Sequence, residues 1–176
     1  EHLIEVYGWT IDDGGPGGCA DDVLGGSDFA NISADGSVSF DDVGAQVNFD
    51  GVSGSGRVTA ARFDDIPENV GGIAEENIGP HRLVIVAEAG LSFSTDTEVR
   101  FDESVFDVIA NPGEVTIYSR SIPNTGDFTA LPTTLDSAEN EVVANTGSFS
   151  ELVLVTPTIA VDSGTIDFEG VEAGES

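Results

Sequence analysis

Few residues of this sequence could act as a nucleophile or as a general acid or base. The only histidines are His2 and His81, and the only cysteine is Cys19. The stretch Gly51-Val52-Ser53-Gly54-Ser55 has serine where a Gly-x-Ser-x-Gly nucleophile elbow needs its second glycine. With 33 Asp and Glu residues, some carboxylate pair falls at a glycosidase distance by chance, so such pairs carry no information. We therefore predict that the chain is not an enzyme.

Paired aspartates in a glycine-rich stretch are the best candidates for a metal site. Calcium prefers carboxylate and carbonyl oxygens, and residues 12–28 offer Asp12, Asp13, Asp21 and Asp22. Their spacing matches neither an EF-hand nor a nonapeptide repeat. A solvated acidic loop is the favoured alternative, because acidic pairs are common throughout this chain. The expectation is no cofactor, with calcium as the alternative.

Two further residues are candidates for modification. Asn31-Ile32-Ser33 is an N-glycosylation acceptor sequence, which matters only in an exported protein. Cys19 has no second cysteine to pair with in its own chain, so it is either a free thiol or part of an intermolecular bridge.

The charge balance excludes two classes of partner. The chain has 176 residues, five Arg, no Lys and a formal net charge of −28. Nucleic acids and anionic membranes are bound through clustered cations, which this chain lacks. Apolar runs such as residues 83–87 are too short to span a bilayer, so no membrane insertion is expected.

The same charge predicts a protein adapted to brine. Hydrophobic residues make up 39% of the chain and ten residues are Phe, which favours a folded domain over a disordered one. A compact domain with this charge repels itself unless salt screens it. At about 1 M salt the Debye length is near 3 Å, short enough to suppress most surface repulsion. We therefore interpret the chain as halophilic.

Short alternating apolar runs, separated by Gly, Asp and Asn, predict an all-β fold. The pattern indicates strands at 2–11, 28–33, 36–41, 45–50, 56–63, 82–88, 91–95, 97–102, 114–120, 127–131, 141–146, 148–156, 158–161 and 164–168. Many short strands at this spacing are typical of a two-sheet antiparallel β-sandwich, of the jelly-roll or Ig-like kind. We divide the chain into a terminal strand at 1–11, a Gly/Asp-rich tether or loop at 12–28 and the sandwich domain at 29–176.

The terminal strand is apolar on both faces. In an extended conformation one face carries Leu3, Tyr7, Trp9 and Ile11, and the other carries Ile4 and Val6. Such a strand must be buried against a sheet. It either pairs within its own chain or is donated to a neighbouring copy.

The second half resembles a known module. Residues 72–73, 77–82, 99–102, 115–120, 126–134 and 147–152 resemble a β-sandwich module near the C-termini of large secreted bacterial surface proteins. The similarity extends over about residues 37–156, and it departs at His81 and Leu83, where aromatic residues are expected. The resemblance implies an exported, non-catalytic module of adhesins or cell-envelope proteins.

Together these features predict an extracellular or cell-surface structural protein. We expect a self-assembling filament or biofilm-matrix subunit that polymerises head to tail by donor-strand complementation, with a second copy of itself as the partner. The alternative is a calcium- or glycan-binding adhesion module of a larger surface protein. For glycan binding the aromatic candidates are Tyr7, Trp9 and Tyr118.

Dialysis from about 3 M to about 0.1 M salt should destabilise or unfold the chain. The Debye length then grows to about 10 Å, which restores repulsion among surface carboxylates. Thermal melting followed by circular dichroism at several salt concentrations measures this effect. An unchanged melting temperature over that range contradicts the halophilic interpretation.

Overall fold

A computed structural model describes residues 24–73, 78–102, 105 and 112–156, which contain eleven β-strands and a 3₁₀ turn at Pro112–Glu114. The strands are β1 Leu24–Ile32, β2 Gly36–Phe40, β3 Ala45–Phe49, β4 Gly56–Phe63, β5 Ile78–Ala87, β6 Glu98–Phe101, β7 Thr116–Arg120, β8 Thr129–Ala130, β9 Thr133–Asp136, β10 Glu141–Asn145 and β11 Glu151–Val155.

The strands form two antiparallel sheets around one main core. The first sheet has six strands in the order β1-β4-β5-β11-β7-β8, and the second has five in the order β2-β3-β6-β10-β9. Both sheets contribute fully buried side chains to this core, among them Phe40, Val47, Ile85, Phe101 and Ile117. The all-β, two-sheet antiparallel sandwich predicted from the sequence is confirmed.

Alternation of side chains explains why these segments become strands. In β3 the burial alternates, so that Ala45, Val47 and Phe49 face the core while the residues between them are half-buried. Burying one large apolar side chain stabilises the fold by roughly 1.5–3 kcal/mol. The core between the sheets is therefore the main source of stability.

Strand β11 is the exception, because all five of its residues are buried. Leu152 and Leu154 face the main core, whereas Val153 and Val155 lie in a second, smaller cluster with Phe128. Phe128 belongs to the segment 121–128, which contacts the segment 64–73 through a Phe128 N–H to Gly71 oxygen bond of 2.9 Å. The segments 64–73 and 121–128 thus cover the centre of the outer face of the six-stranded sheet.

A buried ionic network lies under this cover. Glu151 has no exposed surface and sits opposite Arg120 in the pairing of β11 with β7. Arg120 Nε donates to Glu151 Oε2 at 2.7 Å, and Arg82 Nη1 lies 3.4 Å from Glu151 Oε1. Arg82 Nε also donates to Asp65 at 2.8 Å. The network therefore joins β5, β11 and β7 to the segment that covers them.

Both described chain ends lie at one end of the sandwich. Leu24 pairs with Phe63 at the end of β4, and Val155 pairs with Ile78 at the start of β5. Phe63 and Ile78 are the two ends of the β4–β5 connection. We call the opposite end of the sandwich, which carries the connections 50–55, 88–97, 121–128 and 146–150, the distal end.

Several predicted boundaries differ from the structure. β1 begins at Leu24, so residues 24–28 belong to a strand and not to the tether. Residues 91–95 form only an isolated bridge, Ser53 to Ser92, instead of a strand, and β9 was not predicted. The predicted strands 2–11, 158–161 and 164–168 lie outside the described residues.

Replacing Glu151 by Gln should lower the free energy of unfolding by about 3–5 kcal/mol, because two buried guanidinium groups lose the carboxylate they share. Urea unfolding at about 3 M KCl measures the loss, which should persist at about 1 M because buried pairs are weakly screened. The matched control is Glu98→Gln. Glu98 lies 3.3 Å from Arg100 and is 35% exposed, so its loss should cost at most about 1 kcal/mol. Equal effects of the two substitutions would contradict this account.

Candidate functional site

Arg100 is the centre of a cluster of carboxylates on the five-stranded sheet. It donates to Glu141 and to Asp136, each at 2.6 Å, and lies 3.3 Å from Glu98. Burial lowers the pKa of Arg100, but the hydrogen bonds to Glu141 and Asp136 outweigh it and raise that pKa above its ordinary value. The hydrogen bond from Arg100, followed by that from the Ala138 N–H, lowers the pKa of Asp136. The cluster fastens β6, β9 and β10 together.

His81 lies beside a carboxylate and an arginine. Its Nδ1 lies 2.9 Å from Asp64 Oδ1, and Arg62 Nε lies 3.2 Å from the same oxygen. Within the described residues no hydroxyl or thiol hydrogen-bonds to His81. These contacts group His81 near the start of β5 with Arg62 and Asp64 at and just after the end of β4.

The structure leaves most predicted site residues untested. The donor-strand residues Leu3, Ile4, Val6, Tyr7, Trp9 and Ile11 and the calcium candidates Asp12, Asp13, Asp21 and Asp22 lie outside the described residues. Among residues 24–73, 78–102, 105 and 112–156, no group of three or more His, Cys, Asp or Glu side chains could hold a metal ion. Asn31 is exposed near the end of β1, and its glycosylation stays a prediction. Tyr118 is half-buried against the smaller core cluster.

An open cleft of about 400 Å³ lies at the distal end and could receive a partner. Its apolar lining consists of Val86, Ala87, Leu91, Phe93, Pro123 and Phe149, and its polar lining of Ser92, Ser121, Ser148 and Ser150, beside Gly147. None of these described lining residues is charged, in a chain of net charge −28. The cleft volume falls within the range of roughly 300–1,000 Å³ that is typical of ligand sites.

The cleft exists because β11 is shorter than the strand beside it. The pairing of β5 with β11 reaches Val84 opposite Glu151, and the Ile85 N–H then donates to the Ser150 oxygen at 2.8 Å. β5 continues through Val86 and Ala87 in its pairing with β4 alone. The chain before Glu151 belongs to the connection from the other sheet, so a slot opens beside the end of β5.

Three aromatic rings support the floor of the cleft. Phe93 and Phe149 have ring centroids 4.5 Å apart, and both contact Phe49 in edge-to-face geometry at 5.8 and 5.9 Å. Phe49 is buried in the main core. The floor is therefore a continuation of the core, and its apolar surface is held in place.

The rim of the cleft carries hydroxyl groups. Ser150 is 7% exposed, and its Oγ has no hydrogen-bond partner in the described part of the chain. A polar recess of about 230 Å³ adjoins the cleft and shares Ser121, Ser148 and Ser150 with it. A buried hydroxyl without a partner is costly unless something else pairs with it. The site therefore combines an apolar floor with at least one unused hydrogen-bonding group.

Sequence reasoning did not find this cleft. Its one local signal is the repeated tripeptide Ser-Phe-Ser, at 92–94 and at 148–150, which supplies the two stacked phenylalanines. Those segments lie in different connections and were interpreted as parts of strands. Their meeting depends on how the two sheets pack.

No family model, no curated protein and no solved structure matches this chain. Among its described residues, no helix is long and apolar enough to cross a membrane.

Replacing Arg100 by Gln should reduce the loss in the free energy of unfolding that occurs as the pH falls below about 4. The pKa of Asp136 is lowered in the folded state, so its contribution is present above about pH 4 and is lost as the pH falls through the folded-state value. Without Arg100 this loss becomes smaller, because the largest cause of the lowered pKa of Asp136 is removed while the hydrogen bond from the Ala138 N–H remains. Urea unfolding between about pH 2 and pH 6 at molar salt measures the slope.

The matched control is Arg57→Gln, since Arg57 lies over the Phe29 ring at 4.7 Å, on the other sheet. It removes the same charge without touching Asp136. The prediction fails if each variant lowers the free energy of unfolding by an amount that does not change with pH.

Proposed function

We propose that this chain is a non-enzymatic extracellular structural subunit of a halophile, which polymerises head to tail by donating its N-terminal strand to the distal cleft of a neighbouring copy. The observation that carries the proposal is the uncharged cleft with an apolar floor. The N-terminal segment matches it in chemistry, because residues 2–11 contain one carboxylate, Glu5, and six large apolar side chains.

Backbone pairing supports the same occupant. Val86 and Ala87 pair with β4 on one side, while their other side faces the slot that β11 does not fill. An extended segment laid in this slot would add main-chain hydrogen bonds to β5 and place alternate side chains on Phe93 and Phe149. Trp9 or Tyr7 has an apolar body for this floor and a polar N–H or O–H for the serine rim.

The position of the cleft supports a fibre over a closed ring or dimer. Residue 24, to which the N-terminal segment is joined, lies at the opposite end of the sandwich from the cleft. Donation from that end into a neighbour's distal end is a heterologous contact that repeats in one direction. Such contacts produce open filaments when the rotation between successive copies does not close a ring, which is the behaviour of a matrix or surface fibre.

The alternative function is a glycan- or calcium-binding adhesion module of a larger surface protein. The observation that favours glycan binding is the same cleft, since neighbouring aromatic rings with several nearby hydroxyls suit a sugar. The resemblance to secreted surface modules is compatible with both functions. The two differ in the occupant of the cleft, which is a second copy in one case and a saccharide in the other.

Deleting residues 1–11 should abolish fibres and leave a folded chain, observed by negative-stain microscopy and light scattering at molar salt. Ser148→Glu should do the same, because it adds a charge to the exposed rim of the cleft. The matched control is Ser55→Glu, which adds the same charge to an exposed residue of another distal connection and should leave fibres intact.

Mixing the two defective chains gives the sharpest test. The Ser148→Glu chain keeps its donor strand, and the chain lacking 1–11 keeps its cleft, so an equimolar mixture should form donor–acceptor pairs and no fibres. Fibres that persist in both single variants would refute strand donation into this cleft. A parent chain that stays monomeric at every concentration would favour the adhesion module.

A further inference from the structure

Strand β1 presents the longest free strand edge of the described fold. It is the outer strand of the six-stranded sheet, and within the described residues its only strand partner is β4. It has nine residues, whereas the other outer strands, β2, β8 and β9, have five, two and four. Free edges invite pairing with another chain, and proteins usually block them with charges, prolines or covering segments.

This edge is nearly unprotected by charge. Its sequence is Leu-Gly-Gly-Ser-Asp-Phe-Ala-Asn-Ile, in which Asp28 is the only charged residue, and it contains no proline. Phe29 is 50% exposed on the outer face beside Arg57. In a chain with 33 acidic residues, a long strand edge with one charge is a surface on which two copies repel each other little.

The Phe29 amide identifies the groups that point away from the sheet. Its N–H donates to its neighbour's carboxylate, Asp28 Oδ1, at 2.7 Å, and is therefore directed away from β4. Because main-chain groups alternate along an antiparallel strand, Ser27, Phe29 and Asn31 present their N–H and C=O groups to the free edge. The Asp28 carboxylate thus accepts a hydrogen bond from the Phe29 N–H, which is the middle one of the three N–H groups that face the free edge.

We propose that β1 pairs with β1 of a second copy, antiparallel about a two-fold axis at Phe29. In this register each Phe29 lies opposite the second copy's Phe29, and Ser27 lies opposite Asn31. Asp28 lies opposite Ala30, so no carboxylate directly faces another. Three residues per strand then exchange about six main-chain hydrogen bonds, which join two six-stranded sheets edge to edge.

The self-complementary register favours a second copy over other occupants. Aromatic pairs opposite each other on one face of a sheet stabilise strand pairing. The two Asp28 carboxylates are diagonal neighbours at about 7–8 Å, a distance at which molar salt screens their repulsion and 0.1 M salt does not. Asp28 also has to release the Phe29 amide. It therefore acts as a salt-dependent block on lateral association.

This lateral contact is independent of strand donation. It needs neither residues 1–11 nor the distal cleft, because it uses only the edge of β1. In a fibre it would join filaments side by side, and in a chain that cannot form fibres it would give a two-fold dimer. The full-length Ser148→Glu chain is thus the background in which to measure it.

Sedimentation velocity or light scattering at about 1 to 4 M KCl should show a monomer–dimer equilibrium in that background, with dimerisation strengthening as salt rises. Asp28→Ala should strengthen dimerisation by about tenfold or more and reduce its salt dependence. Asn31→Pro should abolish it, since it removes an outward N–H that β4 does not use. Asn31→Thr keeps that N–H and should leave the dimer intact.

Each outcome tests the pairing of β1 edges separately from strand donation into the cleft. A Ser148→Glu chain that is monomeric at all salt concentrations, and stays so with Asp28→Ala, overturns edge pairing even if the parent forms fibres. Dimers in which Asn31→Pro matches Asn31→Thr overturn it as well. Dimers that follow the expected order support it even if the parent forms no fibres, and circular dichroism melting verifies that each variant is folded.

Discussion

The buried carboxylate of Glu151 is the interaction on which the organisation of the six-stranded sheet depends. It lies on the central strand β11 between Arg82 on β5 and Arg120 on β7. The network also holds the covering segments, because Arg120 donates to the Asn69 oxygen at 2.7 Å and the Asn124 N–H donates to Glu151 at 2.8 Å. Its satisfied hydrogen bonds offset the cost of burying three charges. Glu151 is also the first residue of β11, so the slot of the distal cleft begins where this network ends.

All five arginines are engaged in internal contacts. Four lie within ion-pair distance of carboxylates, and Arg57, Arg82 and Arg120 also lie over the rings of Phe29, Phe63 and Phe128. With no Lys in the sequence, the cations serve to join strands and covering segments rather than to balance the surface. The outer surface therefore keeps its negative charge. Salt screening of that surface leaves the buried pairs largely unaffected, which separates the two electrostatic contributions to stability.

Local sequence patterns predicted strands in which apolar and polar residues alternate. They failed where contacts between distant segments determine the structure. Residues 45–50 agree closely with β3, because its buried and half-buried residues alternate. The start of β1 was missed because Gly25 and Gly26 resemble a tether, yet a side chain at Gly26 would collide with the Asp42 carbonyl. β9 is short and polar and follows Pro132, so it has no period-2 signal. The cleft depends on where β11 begins beside β5. The contact between Glu151 and Arg82 marks that point, and these two residues are far apart in the sequence.

The distribution of charge also determines where copies can meet. At molar salt, long-range repulsion is suppressed, but burying a carboxylate in an interface still carries its desolvation cost. Acidic side chains spread over the surface therefore exclude most orientations of two copies even in brine. The distal cleft, with no charged lining residue, and the edge of β1, with Asp28 alone, escape this exclusion. One is directed along the strands and the other lies at the side of the sheet, so the two proposed contacts would extend an assembly in two different directions.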